Sequence, residues 1–281
     1  MVTAAAASHA CFKDAELGRR FDEKGFVVLD EALDEAMLGR ISDHYERHRD
    51  RYLFRRYIST MEMDDEEHRI GTSDLFFEAT HAIADAIFSD YVQYYGGYGV
   101  KHPTGDASIL SLHQDLTMVP YDAPRTGLTL WVPLSDVDHA NGCIQAVPGS
   151  HRLNRCARAP GMDYAFSDIE EWICDELLKC VPMKRGQVLV MDQALSHRSG
   201  PNGSERPRVA IMGMFRPRET RLRYYLLNEE DPSGTIDVYE VPDDFYLRQR
   251  LGDKPYAGEL KGRIPRVTTP FPDMETWGEA V

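Results

Sequence analysis

The sequence predicts a mainly β fold with flanking helices, of the sandwich, barrel or jelly-roll class, and three observations carry that reading. From residue 107 onward the apolar spacing shifts from helical to a period of two, in short runs at 108–113, 127–134, 143–147, 187–191 and 209–215. Turn residues separate these runs, helped by 21 Gly and 16 Pro spread along the chain. Helices do not alternate with the strands, as a doubly wound sheet would require. A length of 281 residues suits one domain, 1–281. Within it we expect a helical N-terminal part at about 1–100, a jelly-roll core at about 101–220 and a C-terminal extension at 221–281.

Taken in order, residues 25–29 (GFVVL) are a β-branched run that reads as a strand. Asp34 then offers an N-cap, and Met37, Leu38, Ile41 and Tyr45 follow at helical spacing. A second helix is expected from near Ser73 through Phe76, Ala79, Ile83 and Ile87. It should run out at the cluster Tyr94, Tyr95, Gly96, Gly97, Tyr98, whose glycines offer a stop. The five β runs come next, with one helical interruption at 168–178. No internal repeat or low-complexity tract divides the chain.

Composition excludes several classes of function. Hydrophobic residues at 42% and charged residues at 28% describe a folded globular chain, not a disordered or fibrous one. Against 32 Lys plus Arg stand 46 Asp plus Glu, a net charge of −14, which repels a nucleic-acid duplex. No apolar run reaches the roughly 20 residues of a membrane span. The N-terminal stretch lacks the basic region of a signal peptide. Five cysteines without a CxxC pair suit a reducing compartment, so a cytoplasmic location is expected.

Chemistry concentrates at three places. In Leu112-His113-Gln114-Asp115, a His and an Asp two apart on extended backbone leave the same face, so both can meet one metal. A second imidazole from elsewhere would complete a facial set of two imidazoles and a carboxylate. Most other histidines read as structural. His44 and His48 lie on a charged helix face, His81 packs within an apolar helix, and His9 and His68 sit in polar, mobile surroundings. His102 can reach a pocket, while His139 and His151 belong to turns. His197 differs, because it follows the run GQVLVMDQALS and precedes a tight turn, with Arg208 opening the next strand eleven residues later. A strand pair can then bring the Arg208 guanidinium near the metal, where its planar fork suits a carboxylate; Arg206 is the local competitor.

These segments resemble a known family. His113-Gln114-Asp115, GLTLWVPLSDVDHANGCIQAVPGSHR and HRSGPNGSERPRVA, with the early GFVVL element, resemble the phytanoyl-CoA dioxygenase family of Fe(II)- and 2-oxoglutarate-dependent oxygenases across most of 22–218. The resemblance implies a double-stranded β-helix, a cupin-like jelly roll with the metal inside its mouth. It implies His113, Asp115 and His197 as ligands to Fe(II), and Arg208 as partner of the distal carboxylate of 2-oxoglutarate. Ser199 and Trp131 match positions that help hold this cosubstrate, and Thr129, two residues from Trp131, would share its strand face. Dioxygen is the other cosubstrate. Because Asp115 fills the position that is Ala or Gly in related halogenases, hydroxylation of a C–H bond is expected over halogenation.

The expected substrate is a small molecule of specialised metabolism, with a thioester-linked acyl group as the alternative. Tyr94, Tyr98 and His102 are the candidate substrate contacts, joined by the run 52–57 and by Tyr224 and Tyr225. Arg55 and Arg56 are expected to pair with Asp64 or Glu66. Two further readings compete: a catalytically silent cupin-like binding protein, and a zinc hydrolase on the same three ligands.

Overall fold

In the computed structural model the described residues are 11–53, 55–153, 155–228, 231, 234–266 and 277. His9 falls outside them. In chain order the elements are α1 (Ala15–Lys24), β1 (Phe26–Ala32), α2 (Glu35–His48), β2 (Tyr57–Ser59), α3 (Glu66–Ile87) and β3 (Tyr91–Lys101). Then come β4 (Leu110–His113), β5 (Leu128–Pro133), β6 (Ile144–Ala146), β7 (Lys179–Val181), β8 (Gln187–Asp192), β9 (His197–Ser199) and β10 (Arg208–Pro217). The last strands are β11 (Arg223–Leu227), β12 (Thr235–Glu240) and β13 (Glu259–Pro265).

The helices start where the sequence supplies caps. Asp14, Asp34 and Asp65 each accept a backbone N–H three residues on, and Gly25 at φ 77° ends α1 in the left-handed conformation. The expected interruption at 168–178 is an irregular helical stretch whose last part, Ile173–Leu177, is a π-helix.

Three antiparallel sheets result. The large one runs β1-β8-β5-β10-β3-β2, a four-stranded one runs β4-β9-β6-β7, and β11-β12-β13 form a third. The large sheet is covered on both faces, so its central strands are apolar on both sides rather than half polar. On β5, Leu128, Leu130 and Val132 join the core beneath α1, α2 and α3, whereas Trp131 packs toward the four-stranded sheet with Leu189, Met191 and Ala210. Each such aliphatic side chain, fully buried, contributes roughly 1.5–3 kcal/mol. The cavity between the two sheets is where the chemistry lies.

One expectation needs correction. The tyrosine–glycine run at 94–98 does not end a helix: α3 stops at Ile87, and the run is the middle of β3. Its glycines serve close approach, because a Cβ on Gly96 would come within 2.8 Å of Phe76 Cβ, and Ser73 Oγ donates to the Gly96 carbonyl. The N-terminal part carries α1, α2 and α3, and its strands β1, β2 and β3 supply half of the large sheet.

Candidate active site

β4 is an edge strand of the four-stranded sheet and pairs only with β9, with Leu110 opposite Ser199 and His113 opposite His197. That register sets the two imidazoles side by side, ring centroids 4.4 Å apart and planes tilted by 50°. Gln114 points the other way and its amide donates to the Ala194 carbonyl at 2.5 Å, so Asp115 returns to the side of His113. One ligand atom from each of His113, Asp115 and His197 lies within 4.8 Å of the others.

The hydrogen bonds of the two rings fix their useful nitrogens. His113 Nδ1 sits 2.7 Å from the Ser111 carbonyl, and His197 Nδ1 sits 2.9 Å from the Leu195 carbonyl. A carbonyl can only accept, so each Nδ1 carries the proton and each Nε2 keeps its lone pair for a metal. Burial first, and the neighbouring His197 second, push His113 down to about 4, so it is neutral at neutral pH. Two imidazole nitrogens and one carboxylate oxygen, with the remaining positions open, suit a divalent first-row metal.

The triad borders a cavity of about 60 Å³ whose wall also holds Thr129, Trp131, Ser199 and Arg208. Arg208 is 3% exposed, and its guanidinium lies 5.3 Å from the centre of the Trp131 ring. Its Nε and the Ser199 hydroxyl are buried without a hydrogen-bond partner. Orphaned buried polar atoms aimed at one cavity are what a missing carboxylate would satisfy. Thr129, expected as a cosubstrate contact, is part of this wall, and its hydroxyl donates to Asp115 Oδ2 at 2.8 Å, which orients the ligand carboxylate.

His113 also lines an open groove of about 500 Å³ that runs along β4, walled by Ile109, Ser111, Tyr164 and Glu170. Glu170 accepts from the free edge N–H of Leu112 at 3.2 Å. The groove and the inner cavity share Leu110 and His113 as walls.

None of the three substrate contacts expected from sequence lines either space. Tyr94 is buried beside Met118 and Tyr246, and Tyr98 is buried with its hydroxyl on the Ile41 carbonyl. His102 Nε2 lies against the Tyr52 carbonyl at 2.6 Å. Tyr224 and Tyr225 fill the apolar clusters of the third sheet. Among the described residues of the run 52–57, only Tyr57 reaches the cavity wall. Other histidines depart from expectation too. His81 is exposed and 3.6 Å from Asp85, whereas His68 is buried against the Tyr52 hydroxyl and His44 is half-buried against the Tyr98 hydroxyl. Arg55 pairs with Glu62, while Asp64 and Glu66 pair with Arg250 and Arg248.

Sequence reasoning missed Arg158. Its Nε donates to the Asp115 carbonyl at 2.5 Å and its other nitrogens to the carbonyls of Cys156 and Gln193 at 2.8 and 3.0 Å. This guanidinium clamps the backbone of the ligand loop; burial pushes it down to about 10. No local pattern announces such a residue, since it acts on carbonyls distant in sequence.

Comparison with known proteins adds a family and a fold. Residues 21–210 match the family described as phytanoyl-CoA dioxygenase (PhyH). A phytanoyl-CoA dioxygenase domain-containing protein 1 of Danio rerio is 30% identical over 117 residues, 40% of each chain, so the match spans less than half of that relative's length. Among solved structures, AviO1 from Streptomyces viridochromogenes has a TM-score of 0.52 at 22% identity, covering 78% of this chain and 97% of that one. The epimerase SnoN, solved with Fe3+, alpha ketoglutarate and nogalamycin RO, has a TM-score of 0.53 at 20% identity, covering 74% and 86%. Both likenesses establish the fold, that of the 2-oxoglutarate oxygenases, with antiparallel sheets around the site.

Proposed function

Because the chain belongs to the phytanoyl-CoA dioxygenase family of Fe(II)- and 2-oxoglutarate-dependent oxygenases, we propose that it oxidises a C–H bond of a small molecule of specialised metabolism, by hydroxylation rather than halogenation. The observation that carries this reading is one cavity lined by two sets of groups. Ligand atoms of His113, Asp115 and His197 lie close around one point, and the unpartnered Arg208 Nε and Ser199 hydroxyl line the same cavity.

His113, Asp115 and His197 would hold iron, and Arg208 with Ser199 would hold the distal carboxylate of 2-oxoglutarate against the Trp131 side of the cavity. With both bound, reaction with dioxygen decarboxylates 2-oxoglutarate to succinate and leaves one oxygen atom for the substrate. The protein's part is positioning. Arg208 orients the cosubstrate, Thr129 and Arg158 fix Asp115, and the aliphatic wall from Ile144, Met191 and Met212 keeps bulk water from the cavity. Asp115 supports hydroxylation, because its anchored carboxylate fills the position a halide would need. The groove along β4 is the space for the substrate, and its size supports a free molecule of several rings or a comparable polar one. SnoN, crystallised with nogalamycin RO, is a neighbour of this kind.

The test is anaerobic loading with Fe(II), then exposure to air with 2-oxoglutarate and measurement of succinate. Slow succinate release is expected even without substrate, accelerated by the true substrate in a screen read the same way. Folded, iron-loaded protein that forms no succinate with or without such a screen would overturn the proposal.

A further inference from the structure

Beside the cosubstrate site lies a second buried cation with no evident use. Lys101 ends β3, has no solvent exposure, and is flanked in the sheet by Tyr57 of β2 and Arg208 of β10, its register partners. Its Nζ donates to the carbonyl of Ser108 and, at 3.2 Å, to that of Ser199. These contacts tie the lead-in to β4 to the end of β9, the two strands that carry the ligand histidines. Gly142, at φ 82°, closes over the stem: a Cβ there would come within 2.7 Å of Lys101 Cδ and 2.9 Å of the Gly200 carbonyl.

A lysine held only by carbonyls, beside an arginine, has dipoles around it but no counter-charge. Arg208 is the charged group acting on it, and Arg208 in turn has Tyr57 and Cys143 beside it. Both of those are pushed up to about 12 by burial, so neither becomes an anion near neutral pH. Burial first and the Arg208 charge second push Lys101 down to about 7. A carboxylate docked on Arg208 cancels the second of these effects.

We propose that Lys101 is a positioning residue of the cosubstrate site, tying Ser199 in place and taking up a proton when the distal carboxylate of 2-oxoglutarate settles on Arg208. The inference rests on the oxygenase reading above and concerns only this chain's residues. The proton comes from buffer, so the step changes Lys101 from amine to ammonium with no bond made or broken elsewhere. By linkage, cosubstrate affinity then falls as pH rises from neutrality, because the free energy of the bound state includes that proton.

The test counts protons, which a purely structural lysine would not change. 2-Oxoglutarate is titrated anaerobically into the Fe(II)-loaded full chain at pH 7.5 by calorimetry, in Pipes and in Tris, buffers of low and high ionisation heat. The expected result is a buffer-dependent heat reporting uptake of a fraction of a proton, shrinking at pH 6 where the ammonium is already formed. Lys101→Met should abolish the buffer dependence and weaken 2-oxoglutarate about tenfold. Lys101→Arg, which keeps a permanent charge, should also abolish it. Equal heats in the two buffers for the wild type, or uptake that persists in Lys101→Met, overturn the inference. The wild-type comparison decides even if a variant does not fold. Absence of any 2-oxoglutarate binding would instead bring down the oxygenase reading, and this inference with it.

Discussion

Among the described residues, two groups of imidazoles pack closely, and their likeness is instructive. His44 and His48 have ring centroids 4.5 Å apart, against 4.4 Å for His113 and His197, and His68 stacks on His44 at 6.0 Å. In the first group nitrogens are occupied by tyrosines: His44 Nδ1 meets the Tyr98 hydroxyl at 3.1 Å, and His68 Nε2 meets the Tyr52 hydroxyl at 2.9 Å. In the second, both Nδ1 atoms rest on backbone carbonyls two residues back, both Nε2 atoms turn inward, and Asp115 brings an oxygen to the same point. Ring proximity therefore does not make a metal site. What makes one is where the second nitrogen is anchored and whether an acid joins it.

The sharpest way to break this comparison is to remove the acid. Asp115→Ala should leave two imidazoles near each other, much like the His44 group, and abolish substrate hydroxylation while the fold persists. Iron binding, read by metal analysis after anaerobic loading, should fall to background, whereas His151→Ala should retain it. Iron retained at wild-type affinity in Asp115→Ala would show that the histidines alone suffice.

Next in size is the carboxylate anchor, a feature the His44 group lacks entirely. Arg208→Ala should weaken 2-oxoglutarate by about 2–5 kcal/mol, because a buried charged pair loses one partner. Binding isotherms on Fe(II)-loaded protein check this, and unchanged affinity would move the role to Arg206.

Acid should distinguish the two groups by their response to metal. Burial first, with His48 the next cause for each, pushes His44 and His68 down to about 4. A histidine depressed in the folded state contributes stability above the unfolded value near 6.5 and loses it as pH falls from there to about 4. His113 adds the same slope in metal-free protein. Urea midpoints should therefore drop between pH 6.5 and 4, as set by those three groups. Fe(II) should flatten the part due to His113 above the pH at which protons displace the metal, and His68→Gln should remove the part due to His68 with or without metal, leaving that of His44. A slope insensitive to His68→Gln would mean the His44 group is not the acid-sensitive element.

The same contrast marks what a sequence can disclose. His113 of the HxD pair closes a strand whose period of two was visible, with Asp115 just past its end, and the turn from His197 to Arg208 was compact enough to read as one unit, as β9 and β10 bear out. The five β runs each hold a strand because alternation is a local signal. β3 escaped because its glycines, needed for α3 to approach the sheet, look like a helix stop. Arg158 and Lys101 escaped because each acts across the fold on backbone carbonyls, leaving no spacing behind, whereas Tyr57, within the expected run 52–57, does reach the cavity. The histidines of α2 and α3 misled for the same reason, since only tertiary contacts decide which face of a helix is wet.

The smallest expected effect tests how finely Asp115 must be held. Thr129→Val keeps the volume of the side chain and removes the hydroxyl that donates to Asp115 Oδ2, leaving the carboxylate anchored through its own backbone by Arg158. One neutral donor to a charged acceptor is worth about 1.5–3 kcal/mol when it is the sole tie, and less where a second restraint remains. Iron affinity should therefore fall about tenfold, at the low end for a residue that orients a metal ligand. Thr129→Ser, which restores the donor, should recover most of that loss in the same metal titration. Equal iron affinity in wild type and Thr129→Val would show that Arg158 alone positions the acid, and that the backbone of the loop, rather than the face of β5, separates this pair of imidazoles from the other.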